Sequence, residues 1–275
     1  MKHCNIAFIG GGNMATSLIG GLLAEDIAAE NIYVADPDAA KLEALRQRYG
    51  VHIGYDNAAI AAAADVLVLA VKPQVMKAVV PALAPVVKTG RPLVVSIAAG
   101  IRMDDLGRWL GGQPAIVRTM PNTPALVRAG ATALCANAQV SDEQRDLAES
   151  IMRAVGLTIW LEDEAQMDAV TALSGSGPAY FFLVMEAMER AGRDLGLPPE
   201  TARVLTLQTA YGAAKMALEN ELDTARLRAN VTSPGGTTER AIQTLQAGGL
   251  EDLFAKALQA ACARSRELAE MLGAS

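Results

Sequence analysis

The stretch Val231-Thr232-Ser233-Pro234-Gly235-Gly236-Thr237-Thr238 sets hydroxyl side chains on both sides of a Pro-Gly-Gly turn, and a helical pattern resumes at Ala241, Ile242 and Leu245. Glycines let the backbone come close to a ligand, and the N–H groups that open a helix favour an anion. Such a turn makes a pocket for a small carboxylate. A second turn, Ser174-Gly175-Ser176-Gly177-Pro178, repeats the mixture of hydroxyls and glycines ahead of another helical stretch. Helix capping by Ser174 and Ser233 is the alternative reading of the two turns.

The opposite end of the chain carries a different chemistry. Ile6-Ala7-Phe8-Ile9-Gly10-Gly11-Gly12-Asn13-Met14-Ala15 reads as strand, glycine turn and helix start. Gly10 permits the tight turn, Gly12 lets the backbone approach a pyrophosphate, and Ala15 allows close helix–strand packing. A dinucleotide site is expected here. The next strand ends in Asp36, where an acidic residue accepts hydrogen bonds from the ribose 2′-hydroxyl of NADH, whereas a 2′-phosphate favours a nearby cation such as Lys41 or Arg46. The competing role for Asp36 is to cap the helix that starts at Pro37. Ala70-Val71-Lys72-Pro73, Ser96-Ile97-Ala98-Ala99-Gly100 and Met120-Pro121-Asn122-Thr123-Pro124 each follow a strand, at the edge where such sheets bind ligands.

What is missing narrows the reaction. The histidines, His3 and His52, lie at a strand entrance and in a loop-like stretch, remote in sequence from the hydroxyl turns. A histidine base for alcohol oxidation is therefore not expected, and no metal-ligand spacing occurs. The helix after Pro178 begins AYFFLVM, without Lys or His to protonate a carbonyl. A ring imine makes smaller demands, because its protonated form accepts hydride without a strong acid. It needs a positioned hydroxyl, amides for a carboxylate and a nicotinamide face.

The elements that must position these groups follow from periodicity. Near-continuous apolar runs at Ile6–Ile9, Ile32–Ala35, Val66–Val71, Leu93–Ile97 and Ile116–Thr119 fit parallel strands buried on both faces. Helical patterns separate them at 13–25, 38–49, 57–64, 74–87 and 103–110, which predicts a doubly wound α/β sheet. A further strand at 131–136, a helix opened by a Ser141/Gln144 capping box and a strand at 157–161 complete this half. From residue 162 the pattern is all helical, with breaks at Gly175–Pro178, Gly196–Pro199, Asp223–Thr224, Ser233–Gly236 and Gly248–Gly249. We therefore expect two domains, 1–161 for the dinucleotide and 162–275 all-helical. The helix over Thr201–Leu222 is apolar on most sides, so a second subunit is expected to cover it; burial at the centre of a monomeric bundle is the alternative.

Composition excludes several classes. The 275 residues are 51% hydrophobic and 20% charged, with a net charge of −6 spread along the chain. Nucleic acid and acidic membranes are poor partners for such a surface. No apolar run reaches membrane-spanning length. Cys4, Cys135 and Cys262 are scattered and fit reduced, structural thiols, and the first strand pattern at Asn5 leaves no space for a signal peptide, so a cytoplasmic protein is expected.

The set IGGGNMA, AVKPQ, SIAAGI, MPNTP, ALSGSGPAY and VTSPGGTTERAI, spread over essentially the whole chain, resembles pyrroline-5-carboxylate reductase. The resemblance implies reduction of 1-pyrroline-5-carboxylate to L-proline with NADPH or NADH. It implies a Rossmann-like first domain and an all-α dimerisation and substrate domain, giving a homodimer that can assemble into a decamer. By motif, Ile9, Gly10, Gly11, Gly12, Asn13 and Met14 would hold the pyrophosphate, and Asp36 would sit by the ribose. Asn57, Ala70, Val71, Lys72 and Ala98 would line the rest of the cofactor cleft, with Asn230 reaching it from the helical domain. Thr237 and Thr238 would bind the substrate carboxylate through backbone N–H groups beside Gly236, the Thr238 hydroxyl would meet the ring nitrogen, and Ser233 and Ser176 would add hydroxyls. Glu164 resembles a position near the substrate amine, although surface solvation of Glu162, Asp163 and Glu164 explains those acids equally well. Asp36 departs from the small hydroxyl or amide residue of many NADPH-using relatives.

Overall fold

The computed structural model describes residues 4–273. Strands β1 (Ile6–Ile9), β2 (Ile32–Ala35), β3 (His52–Gly54), β4 (Val66–Leu69), β5 (Leu93–Ser96), β6 (Ile116–Met120), β7 (Gly130–Ala136) and β8 (Gly156–Trp160) form one sheet in the order 3-2-1-4-5-6-7-8. Neighbours run parallel except β6 and β7. Only residues 121–129 join those two, too few for a parallel crossover of about a dozen residues or more, so the chain turns back on itself.

Side chains alternate across the sheet and both faces are covered. Ile6 and Phe8 pack with Leu18, Ile19 and Leu22 of α1 (Asn13–Ala24), Leu42 and Leu45 of α2 (Ala39–Tyr49) and residues of a later helix. Ala7 and Ile9 face the other way, toward Ala61 of α3 (Asn57–Ala61), Met76 of α4 (Pro73–Val79) and Val87 of α5 (Ala84–Gly90), with Leu106 and Trp109 of α6 (Met103–Trp109) in the same cluster. This two-sided burial is why the strand sequences lack polar alternation.

Two details differ from the sequence reading. β3 is present where a loop was expected; it is a short edge strand whose His52 ring stacks on Tyr33 at 4.8 Å. His3 lies outside the described residues. The helix expected over 74–87 is split by a 3-10 turn at Val80–Leu83, because Pro81 and Pro85 each remove a helical N–H. The Ser141 capping box is formed as expected, with both bonds in place at the start of α7 (Asp142–Arg153), and β8 is tied to that helix by Trp160 Nε1, which donates to Glu149 Oε2 at 2.9 Å.

Beyond β8 the chain is helical: α8 (Met167–Val170), a π-helical turn (Thr171–Gly175), α9 (Gly177–Asp194), α10 (Pro199–Glu219), α11 (Thr224–Asn230), α12 (Thr237–Ala247) and α13 (Leu250–Gly273). The change from strand to helix falls where expected, but the compact units divide elsewhere. The first comprises residues 1–176 and 261–275, the second 177–260. The physical reason is tethering by buried and charged groups. Glu164 pairs with the strand residue Arg118, and Asp168 accepts a 2.6 Å hydrogen bond from Ser265, which returns the end of α13 to the first unit. In the second unit few large apolar side chains are covered; α10 buries only Ala202 and Thr206. Among the described residues no helix is long and apolar enough to cross a membrane.

Candidate functional site

Parallel register brings the C-terminal ends of β1, β2, β4 and β5 to one edge, and with them Gly10, Asp36, Ala70 and Ala98. Gly10 leaves β1 at φ +106°, a conformation that favours glycine, and a β-carbon there would meet the Ala70 carbonyl oxygen at 2.7 Å. Gly12 precedes α1, and a β-carbon on it would meet nothing within 4 Å. Space therefore opens at the helix N-terminus. Among the described residues the N–H groups of Asn13 and Met14 have no acceptor, as a pyrophosphate site requires. The residues present fit a dinucleotide.

Asp36 is nearly buried, 7% exposed, and its two oxygens have partners. Oδ2 accepts the Gly11 N–H at 2.8 Å and Oδ1 accepts the Asp38 N–H at 2.9 Å. Asp36 thus clamps the glycine turn to the end of β2. The N-cap of α2 is Asp38, which accepts from the Ala40 and Lys41 N–H groups, so Asp36 is not the helix cap. Of the two cations considered in the sequence, Arg46 pairs with Glu43 at 2.8 Å, whereas Lys41 lies 3.8 Å from Asp36 and 3.7 Å from Asp38. Lys41 and Arg48 line a cavity with Gly11, Gly12, Asn13 and Thr16. Arg48 had gone unremarked in the sequence; its signal was a position one helical turn beyond Ala44 on the face of α2 that carries Lys41.

The remaining cofactor candidates divide by position. Asn57 opens α3, and Ala70, Val71 and Lys72 run from β4 to Pro73 at the start of α4, with Lys72 exposed. Ala98 is buried, and its N–H donates to Ser96 Oγ at 3.4 Å. Asn230 is the last residue of α11 in the second unit and is exposed.

In the second unit the hydroxyl turn is held by its own residues. Gly235 adopts φ +72°, the Gly236 N–H donates to the Ser233 carbonyl at 3.0 Å, and the Gly235 N–H donates to Glu239 Oε2 at 2.8 Å. Gly236 is the N-cap of α12 without a side-chain cap, so Ser233 does not cap that helix. Thr237 and Thr238 open α12, exposed, and among the described residues their N–H groups have no acceptor. Those amides suit a carboxylate.

The first hydroxyl turn ends the first unit. Ser174 Oγ donates back to the Val170 carbonyl at 3.1 Å and caps nothing, while Ser176 is half-buried and its hydroxyl has no partner among the described residues. Glu164 is engaged rather than merely solvated. Its Oε1 accepts from Arg118 Nη1 at 2.8 Å and from the Met103 N–H at 2.9 Å, leaving Oε2 for another donor. Arg118, 4% exposed, was missed by sequence reasoning; a lone cation in an apolar strand was the available signal of a buried partner. Burial pushes the Cys4 thiol up to about 11 and raises the Cys135 thiol too, which makes both poor nucleophiles.

Comparison with known proteins decides between the chemistries this geometry allows. Residues 164–268 match the family described as pyrroline-5-carboxylate reductase dimerisation, and residues 5–100 match one described as NADP oxidoreductase, coenzyme F420-dependent. A pyrroline-5-carboxylate reductase of Pseudomonas aeruginosa is 57% identical over 273 residues, covering 99% of this chain and 100% of the relative. The chain belongs to the pyrroline-5-carboxylate reductase family. The solved reductase of Coxiella burnetii superposes with a TM-score of 0.93 at 51% identity, covering 97% of this chain and 98% of that one. The Plasmodium falciparum pyrroline carboxylate reductase, solved with NADP bound, gives 0.86 at 29% identity over 98% of this chain and 99% of that one. The reductase fold thus spans both units, and its family's dimerisation region coincides with the helices that are bare in a single chain.

Proposed function

We infer that this chain reduces 1-pyrroline-5-carboxylate to L-proline with NADPH or NADH, the last step of proline synthesis. The observation that carries the reading is the presence in one family member of two unpaired amide pairs, Asn13/Met14 after an open glycine turn and Thr237/Thr238 after a hydroxyl-flanked one. The first suits a pyrophosphate and the second a carboxylate. The bound dinucleotide supplies the hydride.

Ile9 to Met14 hold the pyrophosphate, Asp36 supports the adenosine ribose, and Asn57, Ala70, Val71, Lys72, Ala98 and Asn230 line the rest of the cofactor site. Thr237 and Thr238 bind the substrate carboxylate through their N–H groups, with Gly236 allowing close approach. The Thr238 hydroxyl orients the ring nitrogen, and Ser233 and Ser176 add hydroxyls around the ring. Oε2 of Glu164 is the oxygen left to meet the substrate amine. No stronger acid is needed, because the protonated imine already carries the charge that hydride neutralises. Residues 1–161 serve the dinucleotide, and residues 162–275 serve substrate binding and assembly into a homodimer that builds decamers. The free cysteines fit a reducing cytoplasm.

The test is one assay on purified protein: oxidation of NADH and of NADPH in the presence of pyrroline-5-carboxylate, with L-proline identified as product. Turnover of hydroxyacids with no turnover of the cyclic imine overturns the reading.

A further inference from the structure

Pro178 lies four residues after Ser174, so the α-helical partner of the Ser174 carbonyl would be an N–H that proline lacks. The helix is not broken there, as the sequence led us to expect, but widened. Ser176 N–H donates to the Thr171 carbonyl at 2.9 Å, giving the π turn Thr171–Gly175, and α9 follows directly. The donor to Ser174 comes from elsewhere in the first unit: Asn122 Nδ2 donates to the Ser174 carbonyl at 3.0 Å. The other end of the same amide is also used, since Oδ1 accepts the Ala131 N–H at 2.9 Å. One partner only donates and the other only accepts, which fixes the orientation of the amide. Met120, two residues earlier, lays its terminal methyl against Gly175 where a β-carbon would stand. The Met120–Asn122 segment therefore seats the π turn at two successive residues, and π turns occur frequently at functional sites.

We propose that Asn122 is a positioning residue of the reductase: by supplying the hydrogen bond that Pro178 withholds from Ser174, it fixes the π turn and so the place of the Ser176 hydroxyl around the substrate ring. The proposal rests on the reading of the Ser174–Pro178 turn as part of the substrate site. Ser174 itself is turned inward onto Val170, which leaves Ser176 as the hydroxyl the turn presents. Misplacing such a group by about 1 Å costs on the order of a hundredfold in rate.

Two variants separate the ends of the clamp. Asn122→Ala removes both bonds; Asn122→Asp keeps the acceptor for Ala131 and loses the donor to Ser174. In the intact enzyme both should lower kcat by about ten- to a hundredfold and raise KM for the imine, with KM for NADH and NADPH unchanged. Amide exchange in 171–176 should be faster in both. Pro178→Ala, which offers Ser174 a helical N–H and lets the turn tighten, should raise Tm while also lowering kcat. A lower Tm with kcat and every KM unchanged would mean that Asn122 only ties β6 to β7, and a rise in KM for the dinucleotide alone would place the clamp with the cofactor loop; either overturns the proposal. If the wild-type enzyme ignores pyrroline-5-carboxylate, the functional reading falls and Ser176 loses its assigned task. Unchanged exchange of 171–176 in Asn122→Ala overturns the clamp whatever the enzyme reduces.

Discussion

The two compact units spend their apolar residues in opposite ways. In the first, Ile6–Ile9 and Val66–Leu69 are buried at every position, with helices of the same chain on both faces of the sheet. In the second, α10 carries charge only at Glu200, Arg203, Lys215 and Glu219, yet Val204, Leu205, Tyr211, Met216 and Leu218 are exposed, Leu218 by 82%. Apolar surface on that scale marks a binding face. The first unit finds its cover within the chain, and the second is matched by a dimerisation family. Stability of the sheet is therefore a property of one chain, while that of the helical unit depends on protomer concentration.

The largest expected effect comes from charging that bare face. Ala213 is exposed in the single chain and lines an apolar cleft with Met216, Leu227 and Val231. Ala213→Glu should be harmless to an isolated chain. In a dimer it buries a carboxylate in a cleft that Arg228 also lines, and the desolvation of that charge costs about 5 kcal/mol. Sedimentation should show dissociation into monomers, with activity falling alongside. A monomeric wild type would break the comparison outright.

What the sequence conveyed follows the same division. β1, β2 and β4 were legible because burial on both faces writes an uninterrupted apolar run. β3 was not, since three residues at an edge, His52-Ile53-Gly54, carry no such constraint. α10 was legible as a helix that a second subunit should cover, and its exposure in the single chain together with the match to a dimerisation family supports that expectation. In the site, residue types pointed to the glycine and hydroxyl turns, but partners distant in sequence were invisible. Nothing in local spacing says that Arg118 meets Glu164, that Asn122 reaches Ser174, or that Asp36 turns under Gly11.

The Arg118–Glu164 pair tests the self-sufficiency of the first unit. Glu164→Ala leaves a guanidinium 4% exposed without its carboxylate and removes the acceptor at the start of α6. Breaking a buried pair on one side costs about 3 kcal/mol. Thermal unfolding should shift down markedly, with sedimentation below Tm unchanged, the reverse of Ala213→Glu. A raised KM for the imine at unchanged Tm would assign Glu164 to the substrate alone.

Thr238→Ala sharpens the contrast at the level of chemistry. Its side chain is exposed and bonds no other described residue, so removal should leave Tm and dinucleotide affinity as they are. Turnover should fall by about a hundredfold, the cost of losing the group that orients the ring nitrogen for hydride transfer. Activity should not vanish, because the protonated imine still accepts hydride. Wild-type kcat in this variant would remove the hydroxyl from the mechanism and leave Thr238 only its backbone N–H.

The smallest effect is expected at Asp36, whose carboxylate holds the glycine turn and is expected also to bias the choice of dinucleotide. Its bonds to the Gly11 and Asp38 N–H groups hold the glycine turn, so Asp36→Ser should lower kcat/KM for both dinucleotides. The losses should be unequal. NADH loses the loop clamp and the carboxylate that accepts from its ribose hydroxyls. NADPH loses the clamp but escapes a negative charge beside its 2′-phosphate. Lys41, 3.8 Å from Asp36 and 3.7 Å from Asp38 in the native site, keeps only Asp38 to compete with that phosphate in the variant. Like-charge repulsion of about 1.4 kcal/mol corresponds to tenfold in affinity, so the NADPH-to-NADH ratio of kcat/KM should rise by about that factor. Steady-state kinetics with each cofactor at saturating imine measures it. Equal losses for the two would mean that Asp36 faces only Gly11 and Asp38, and that choice between the dinucleotides rests with Lys41 and Arg48 on α2.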